Sequence, residues 1–324
     1  MHSFERKKEK LFLLVALLLH PFCRAEAGPS INEYTVEDLE SEPGKIEIEQ
    51  NSDFSVGQPA RLFQPDGAGG FIYDQNTISR QRHNTEVQLG ITDWLKLSVG
   101  FDLEQERIDD PASPAEANAF GDLSFDEFSL GAVVVFSKPK PEGIGFGFLV
   151  EYQNAIGGNV EDLSELYFGP IIEAHTGPWA LTANLAFVTY HNGRPAPDNP
   201  GFVADRKVDF SYFLQGAYQV SKQFSAAIEA YGTIDRLGDS GTPDDAAQLF
   251  GDFDQHRIGP VVYWTFAGDV FAGKLGAQKH HDNKGGKDDD EDDQPSLTVG
   301  FGPLFGLNEN TPEITYKLQV SAEF

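Results

Sequence analysis

Short segments in which apolar and polar side chains alternate recur along the whole chain. Successive side chains of a β-strand point to opposite faces, so this alternation predicts strands with one apolar and one polar face. In the clearest segment the apolar set is Leu95, Leu97, Val99, Phe101 and Leu103, and the polar residues lie between them. The segments that follow this pattern, strongly or weakly, are residues 45–56, 77–91, 95–104, 123–136, 144–153, 164–174, 179–189, 208–220, 224–230, 258–266, 297–307 and 313–324.

The last of these segments, EITYKLQVSAEF, ends the chain on Phe324. The ring of Phe324 shares a face with Tyr316, Leu318 and Val320, and the other face is polar. A terminal strand of this kind is the usual ending of a bacterial outer-membrane barrel. It predicts two partners, the lipid of the outer membrane and the barrel-assembly machinery, which would engage the strand that ends in Phe324.

The apolar faces point to a membrane that is crossed by strands. After residue 27 the chain has no apolar stretch near the ~20 residues that a spanning helix needs, and open sheet edges are too costly in lipid. The prediction is therefore an all-β transmembrane antiparallel up-and-down β-barrel with about 12 strands. A soluble β-sandwich also alternates, but segments of roughly ten residues with aromatics at set depths favour the barrel.

The connections between segments help to orient the barrel. Short turns alternate with longer segments rich in Gly, Pro, Asp and Asn (residues 57–76, 107–120, 191–207 and 235–254), as tight periplasmic turns alternate with outer loops. This assignment places Trp94, Trp179 and Trp264 at one end, as half of an aromatic belt. Near Asp126 and Glu127 the apolar positions slip from odd to even numbers, which predicts a β-bulge.

Residues 267–295 do not fit the pattern and end in an acidic run. Both chain ends should lie on the periplasmic side, which requires an even number of strands. We interpret the stretch as an acidic periplasmic insertion within a 12-strand barrel. A hairpin pair there, which would give 14 strands, is the second choice.

The chain begins with the features of a secretory signal peptide. A basic stretch precedes an apolar run (residues 11–19) and the small-residue site Ala25-Glu26-Ala27, so residues 1–27 are expected to be cleaved. Cys23, the single cysteine, would be lost with them. Residues 28–44 are interpreted as a periplasmic lead-in and residues 45–324 as the barrel. Residues 35–39 could instead plug the pore, although the plain lead-in is the favoured interpretation.

The formal net charge of −27 disfavours nucleic-acid binding. Alternation places an excess of acids over bases in the lumen, which would favour cations if water fills it. The alternative is that these groups pair with one another and plug the lumen. The candidate lumen-lining residues are Glu49, Arg80, Arg82, Asp102, Glu104, Glu151, Asp209, Glu229, Arg257 and Lys317.

Metal and cofactor signals are weak. The run Asp288, Asp289, Asp290, Glu291, Asp292 and Asp293 follows a pair of histidines and is a candidate for weak cation binding. A solvated acidic loop is the favoured interpretation, because like charges repel and no Gly-spaced ligand loop is present. No cofactor and no dedicated metal site are predicted.

Enzyme activity is disfavoured as well. Some 12-strand barrels act on lipid acyl chains through an outward His and Ser, and His83 is predicted to point outward. Ser79, on the same face, lies roughly 13 Å away, which is too far for a nucleophile and its base. His83 would need a partner from a neighbouring strand.

Three stretches resemble a known group of barrels: GITDWLKLSVGFDLE at residues 90–104, GP followed by VVYW at residues 259–264, and PLFGLNENTPEITYKLQVSAEF at residues 303–324. They are similar to the proteobacterial outer-membrane family named for a meta-pathway of phenol degradation, whose members are often described as transporters. The resemblance runs from about residue 38 to the end, with residues 267–295 departing from it. It implies passage of aromatic compounds.

The prediction is thus a barrel of the bacterial outer membrane that allows passive transport of small solutes, including apolar or aromatic compounds. A closed barrel with a structural or binding role is the alternative. An outer-membrane lipid-modifying enzyme is the third hypothesis.

Overall fold

The structure is a computed structural model that describes residues 34–59, 63–65, 71–73, 77–109, 120–121, 123–156, 164–191, 208–240, 254–267 and 295–324. The predicted signal peptide, the acidic run 288–293 and nearly all of the predicted insertion 267–295 lie outside the described residues. Among the described residues, no helix has the length and apolar character that crossing a bilayer requires.

Twelve antiparallel strands close into one barrel, as predicted. Each strand pairs with its neighbours in the barrel. The first barrel strand, Ile46–Pro59, closes the ring by pairing with the last, Ile314–Glu323, from Glu47 opposite Glu323 to Val56 opposite Ile314. The barrel strands are β1 (Ile46–Pro59), β4 (Thr77–Thr92), β5 (Leu95–Ile108), β6 (Ser124–Ser137), β7 (Glu142–Ala155), β8 (Ser164–Thr176), β9 (Trp179–His191), β10 (Val208–Ser221), β11 (Phe224–Ile234), β12 (Gln255–Ala267), β13 (Ser296–Gly306) and β14 (Ile314–Glu323).

Two small elements lie outside the barrel wall. The hairpin β2 (Phe63–Pro65) and β3 (Phe71–Tyr73) falls in the connection between β1 and β4, where the sequence predicted only a loop. A short 3₁₀ helix, Leu237–Asp239, follows β11. Neither element adds a strand to the barrel.

The two faces of the wall have opposite chemistry. Large apolar side chains such as Leu97, Phe146 and Phe301 are exposed on the outside, whereas Glu104, Glu229 and Lys317 are almost completely buried inside. This distribution is the inverse of that in a soluble protein and matches a transmembrane barrel, whose strands turn apolar residues to lipid and polar residues to the lumen.

The predicted bulge on β6 is confirmed. Asp102 of β5 pairs with Glu127 and the next residue, Leu103, pairs with Phe125, so Asp126 is the extra residue. Asp126 and Glu127 are consequently both buried. The bulge thus adds a second carboxylate to the lumen at this level.

The barrel has a turn end and a loop end. At the turn end, β4–β5, β6–β7, β8–β9 and β10–β11 are joined by connections of two to four residues, as their bounds show. All three tryptophans lie at this end and are about half exposed. The ring of Trp179 contacts Tyr218 with centroids 4.8 Å apart, and that of Trp264 stacks on Phe266 at 5.8 Å. These rings give the turn end the aromatic girdle expected at a membrane interface.

Candidate functional site

The candidate site is the barrel lumen. All ten residues that the sequence predicted to line it are buried, each with no more than 9% of its surface exposed. Because the barrel is closed and the flanking apolar residues are exposed outside, these buried side chains lie on the inner face. Whether solutes pass them stays a prediction.

An arginine–carboxylate cluster lies in the half of the lumen nearer the loop end. Arg80 and Arg82 alternate on β4 and face Glu106 and Glu104 of β5 in register. Arg80 Nε lies 3.2 Å from Glu104 Oε1, and Arg82 forms an ion pair with Glu104. The bulge places Asp126 Oδ2 3.8 Å from Arg82. Buried ion pairs therefore join β4 to β5 and β6 at this level.

A second charged cluster spans β11, β12 and β14. Lys317 Nζ donates to Glu229 Oε2 at 2.9 Å and to the hydroxyl of Tyr231 at 3.0 Å. Tyr231 and Tyr263 both donate to Glu229. Lys317 and Glu229 are fully buried, so each charge depends on this network for its solvation.

The other predicted carboxylates are held by neutral donors. Asp102 accepts a hydrogen bond of 2.7 Å from Asn84 Nδ2, and Glu151 accepts one of 2.8 Å from Gln153 Nε2. Asp209 accepts one of 2.7 Å from the hydroxyl of Tyr190. Hydrogen bonds from neutral amides and hydroxyls do not neutralise these carboxylates, so acidic groups still outnumber basic groups in the lumen.

Residues 34–41 lie inside the lumen and contact its wall, where the sequence favoured a plain periplasmic lead-in over residues 28–44. Residues 28–33 lie outside the described residues. We call residues 34–41 the plug. Lys96 on the barrel wall forms ion pairs of 3.0 Å with Glu37 Oε2 and 3.3 Å with Asp38 Oδ1. Because the lumen is rich in carboxylates, the acidic plug needs a wall cation of this kind to hold it.

The apolar anchor of the plug is Leu39, which is 1% exposed and packs with Val133, Val135, Leu149 and Ile171. Glycines on β7 make room for it. A Cβ atom at Gly147 would lie 2.4 Å from Leu39 Cδ2, and one at Gly145 would lie 2.8 Å from Leu39 Cδ1. The wall therefore contains a pocket shaped for this side chain.

The polar backbone of the plug is satisfied mainly by wall side chains. The amide N–H of Glu37 donates to Asn184 Oδ1 at 2.7 Å, and Asn184 Nδ2 donates back to the carbonyl of Glu37 at 2.8 Å. The N–H of Leu39 donates to Glu173 Oε2 at 2.9 Å. No strand ladder joins the described part of the plug to the wall, so the segment is held by side-chain contacts.

The plug contacts wall residues that sequence reasoning had not linked to it. Glu173 and Asn184 carry no motif, since a single polar residue on an inner face is common in any barrel. The sequence features that indicate this contact are Gly145 and Gly147 on the inner face of β7 and Leu39 within an acidic segment. A pocket can be inferred from them only once the register of β7 is known.

His83 has a serine partner, although not Ser79. His83 Nδ1 lies 2.9 Å from Ser52 Oγ, because β1 pairs directly with β4 at this position. Ser79 instead donates to Asp109 Oδ1 at 2.8 Å. Among the described residues no third group binds the other ring nitrogen of His83, so the pair lacks the orienting partner of a catalytic triad.

Within the described part of the chain, no group of three or more His, Cys, Asp and Glu side chains is placed to hold a metal ion. The weak cation-binding candidate at residues 288–293 falls outside that part and stays a prediction.

No family model matches the sequence, and no curated protein matches it either. Solved structures do share the fold. The COG4313 outer membrane channel from Pseudomonas putida F1 is similar over 92% of this chain and 100% of its own, with 13% identity and a TM-score of 0.52. The transport unit of the autotransporter AIDA-I from Escherichia coli covers 90% of this chain and 94% of its own, with 12% identity and a TM-score of 0.45. At 13% identity the likeness to the channel establishes a common barrel fold.

Proposed function

We propose that this protein is a bacterial outer-membrane barrel that allows passive transport of small solutes, including apolar or aromatic compounds. The observation that carries the proposal is the plug. The lumen holds a segment that lies outside the sheet. It is bound to the wall by the two ion pairs of Lys96, by the packing of Leu39 and Tyr34, and by side-chain hydrogen bonds. A segment held in this way can leave without breaking the barrel.

Three features support placement in the outer membrane with lipid as the surrounding partner. The outer face is apolar, the tryptophans lie at one end, and β14 leads to an exposed Phe324. We include in the proposal a cleaved signal peptide at residues 1–27 and recognition of the terminal strand by the barrel-assembly machinery.

We also propose membership of the outer-membrane family named for a meta-pathway of phenol degradation. The support is the resemblance at residues 90–104, 259–264 and 303–324. These stretches form the β4–β5 turn with most of β5, the middle of β12, and the end of β13 together with β14, so they are signatures of architecture. Passage of aromatic compounds is the part of the proposal that this membership would add.

A closed barrel with a structural or binding role is the second candidate. Its support is the number of lumen charges already bound to other wall residues, as in the Lys317–Glu229 network. A lipid-modifying enzyme is supported only by the pair formed by Ser52 and His83. We propose that the protein is not an enzyme.

Conductance across a planar bilayer tests the proposal. Refolded protein comprising residues 28–324 should give rare discrete openings. Lys96→Gln should make them more frequent, because it removes both ion pairs that Lys96 makes with the plug. Lys140→Gln, at an exposed turn-end lysine, is the matched control and should behave as wild type. If all three proteins are folded by heat-modifiable gel mobility and none conducts, the closed-barrel alternative is favoured.

A further inference from the structure

Arg257 on β12 is a buried cation whose charge no carboxylate neutralises among the described residues. It is 2% exposed. Its Nη2 donates to Gln255 Oε1 at 2.7 Å and its Nη1 to Thr315 Oγ1 at 3.4 Å. Within the part of the chain that the structure describes, its Nε has no hydrogen-bond partner. Both acceptors are neutral, so the guanidinium keeps its full positive charge.

The other buried cations of the described lumen all have carboxylate partners. Arg80 and Arg82 pair with Glu104, Lys96 pairs with Glu37 and Asp38, and Lys317 pairs with Glu229. A buried charge without a counter-charge is costly, and an arginine cannot relieve the cost by losing its proton. Arg257 is therefore a cation with an open position for an anion.

The surroundings of Arg257 suit a small anion. It lines a cavity together with Arg80, Arg82, Ser55 and Gln58. The hydroxyl of Ser55 donates to Asp53 Oδ1 at 3.3 Å and lies 2.9 Å from the hydroxyl of Thr315. These hydroxyls are therefore already bonded, and the guanidinium supplies the donors for an anion. Asp53 also lines the cavity, and Arg80 and Arg82 already pair with Glu104. Arg257 is therefore the cation of this cavity that lacks a carboxylate partner among the described residues, and one unpaired charge favours a ligand with a single negative charge.

One face of the guanidinium is covered by the plug. The ring of Tyr34 lies over it, 4.9 Å from the Arg257 Cζ to the ring centroid. This cation–π contact partly replaces the missing counter-charge. It also means that withdrawal of the plug would uncover the guanidinium and leave it without that contact.

We infer that Arg257 is the anion-binding residue of a site in the lumen that takes the carboxylate group of a small organic acid. The planar fork of a guanidinium matches a carboxylate with two parallel hydrogen bonds. The inference deepens the proposed function, on which it rests for the route by which the acid would reach the site. It assigns one class of solute, the monocarboxylates, to a lumen in which buried carboxylates outnumber buried cations.

Binding can be measured without transport. Acetate labelled with ¹³C at the carboxyl carbon is the probe, and broadening of its NMR line by refolded protein in detergent micelles reports binding. Wild type should broaden the line, Arg257→Gln should remove the effect, and Arg257→Lys should retain part of it. Arg107→Gln, at an arginine outside the lumen cavity that already pairs with Asp109, is the control and should broaden the line as wild type does.

Several results would overturn the inference. The inference is wrong if the acetate line is still broadened by Arg257→Gln, or if the wild type does not broaden it. Heat-modifiable gel mobility must show in both cases that the protein is folded. Loss of the effect on adding an equal concentration of chloride or phosphate would show a general anion site without carboxylate preference. Failure of the proposed function is distinguishable, because acetate that enters the lumen from one end can bind without crossing the barrel. Line broadening without conductance would keep the site and contradict transport.

Discussion

At the residue scale, the lumen shows how a buried charge depends on its partners. Lys317 and Glu229 are fully buried, and two tyrosine hydroxyls complete their network. Removing one member of a buried pair leaves the other charge unpaired, which costs about 3–5 kcal/mol. Replacing both members removes the unpaired charge and much of that cost.

We therefore expect Lys317→Met to lower the free energy of unfolding by about 3 kcal/mol. The double variant Lys317→Met with Glu229→Gln should recover more than half of the loss. Denaturant unfolding in detergent, followed by tryptophan fluorescence, measures both. If the loss of unfolding free energy in the double variant equals the sum of the losses in the two single variants, the two residues are not coupled.

At the element scale, the plug and the wall are stabilised differently. Each strand is bonded along its length to two neighbours. The plug is held instead by the packing of Leu39 and Tyr34, by the ion pairs of Lys96 and by side-chain hydrogen bonds. Local opening with a free energy below that of global unfolding is expected for such a segment. The plug should therefore open while the barrel stays folded.

A thiol placed at Leu39 tests this difference, since residues 28–324 contain no cysteine. Leu39→Cys should react slowly with a water-soluble maleimide, because the position is buried. Adding Lys96→Gln should raise the rate by about tenfold, the factor that corresponds to a loss of about 1.4 kcal/mol.

Lys140→Gln in the same Leu39→Cys background should leave the rate unchanged, because Lys140 lies in an exposed turn. If Lys96→Gln has no more effect than this control, the ion pairs do not hold the plug.

At the scale of the whole molecule, the barrel separates two environments. Ten carboxylates and five cations are buried among the described residues, so the lumen attracts cations overall. Arg257, which has no carboxylate partner among the described residues, is a local exception near the loop end. The outer wall is apolar around the ring, apart from polar contacts such as that between Ser52 and His83.

Ion selectivity should follow the lumen charge. The conducting protein is expected to prefer cations, and Asp102→Lys or Glu151→Lys should shift the reversal potential in a salt gradient toward anions. Glu309→Lys reverses a charge on an exposed loop and serves as the control. An unchanged reversal potential in both lumen variants would argue against solute passage along these residues.

The orientation of side chains toward lipid can be tested in the same protein. A fluorophore attached at Leu318→Cys should be quenched by nitroxide-labelled acyl chains, because Leu318 is 42% exposed on the outer wall. The same fluorophore at Gln319→Cys, on the opposite face of β14, should be quenched little. Equal quenching at both positions would contradict the assigned faces.

Most of the wall could be predicted from the sequence, because every second residue of a strand faces the same environment. Lipid on one side and a polar lumen on the other act on all twelve strands, so the alternation of residues 95–104 or 313–324 already assigns a face to each side chain. The shift of parity at Asp126 likewise revealed the bulge before the pairing was known. The ends of β11 and β12 were missed by a few residues, because the apolar signal weakens toward the loop end.

The plug and the charge pairing were decided by tertiary structure. A single acidic segment carries no periodicity, and its partners Lys96, Leu149, Glu173 and Asn184 come from strands far apart in the chain. The partner of His83 depends on the register of β1 against β4, and the solitary charge of Arg257 depends on which carboxylates the barrel brings near it. Alternation is a local property that a sequence displays directly, whereas contacts across a closed lumen exist only once the ring has formed.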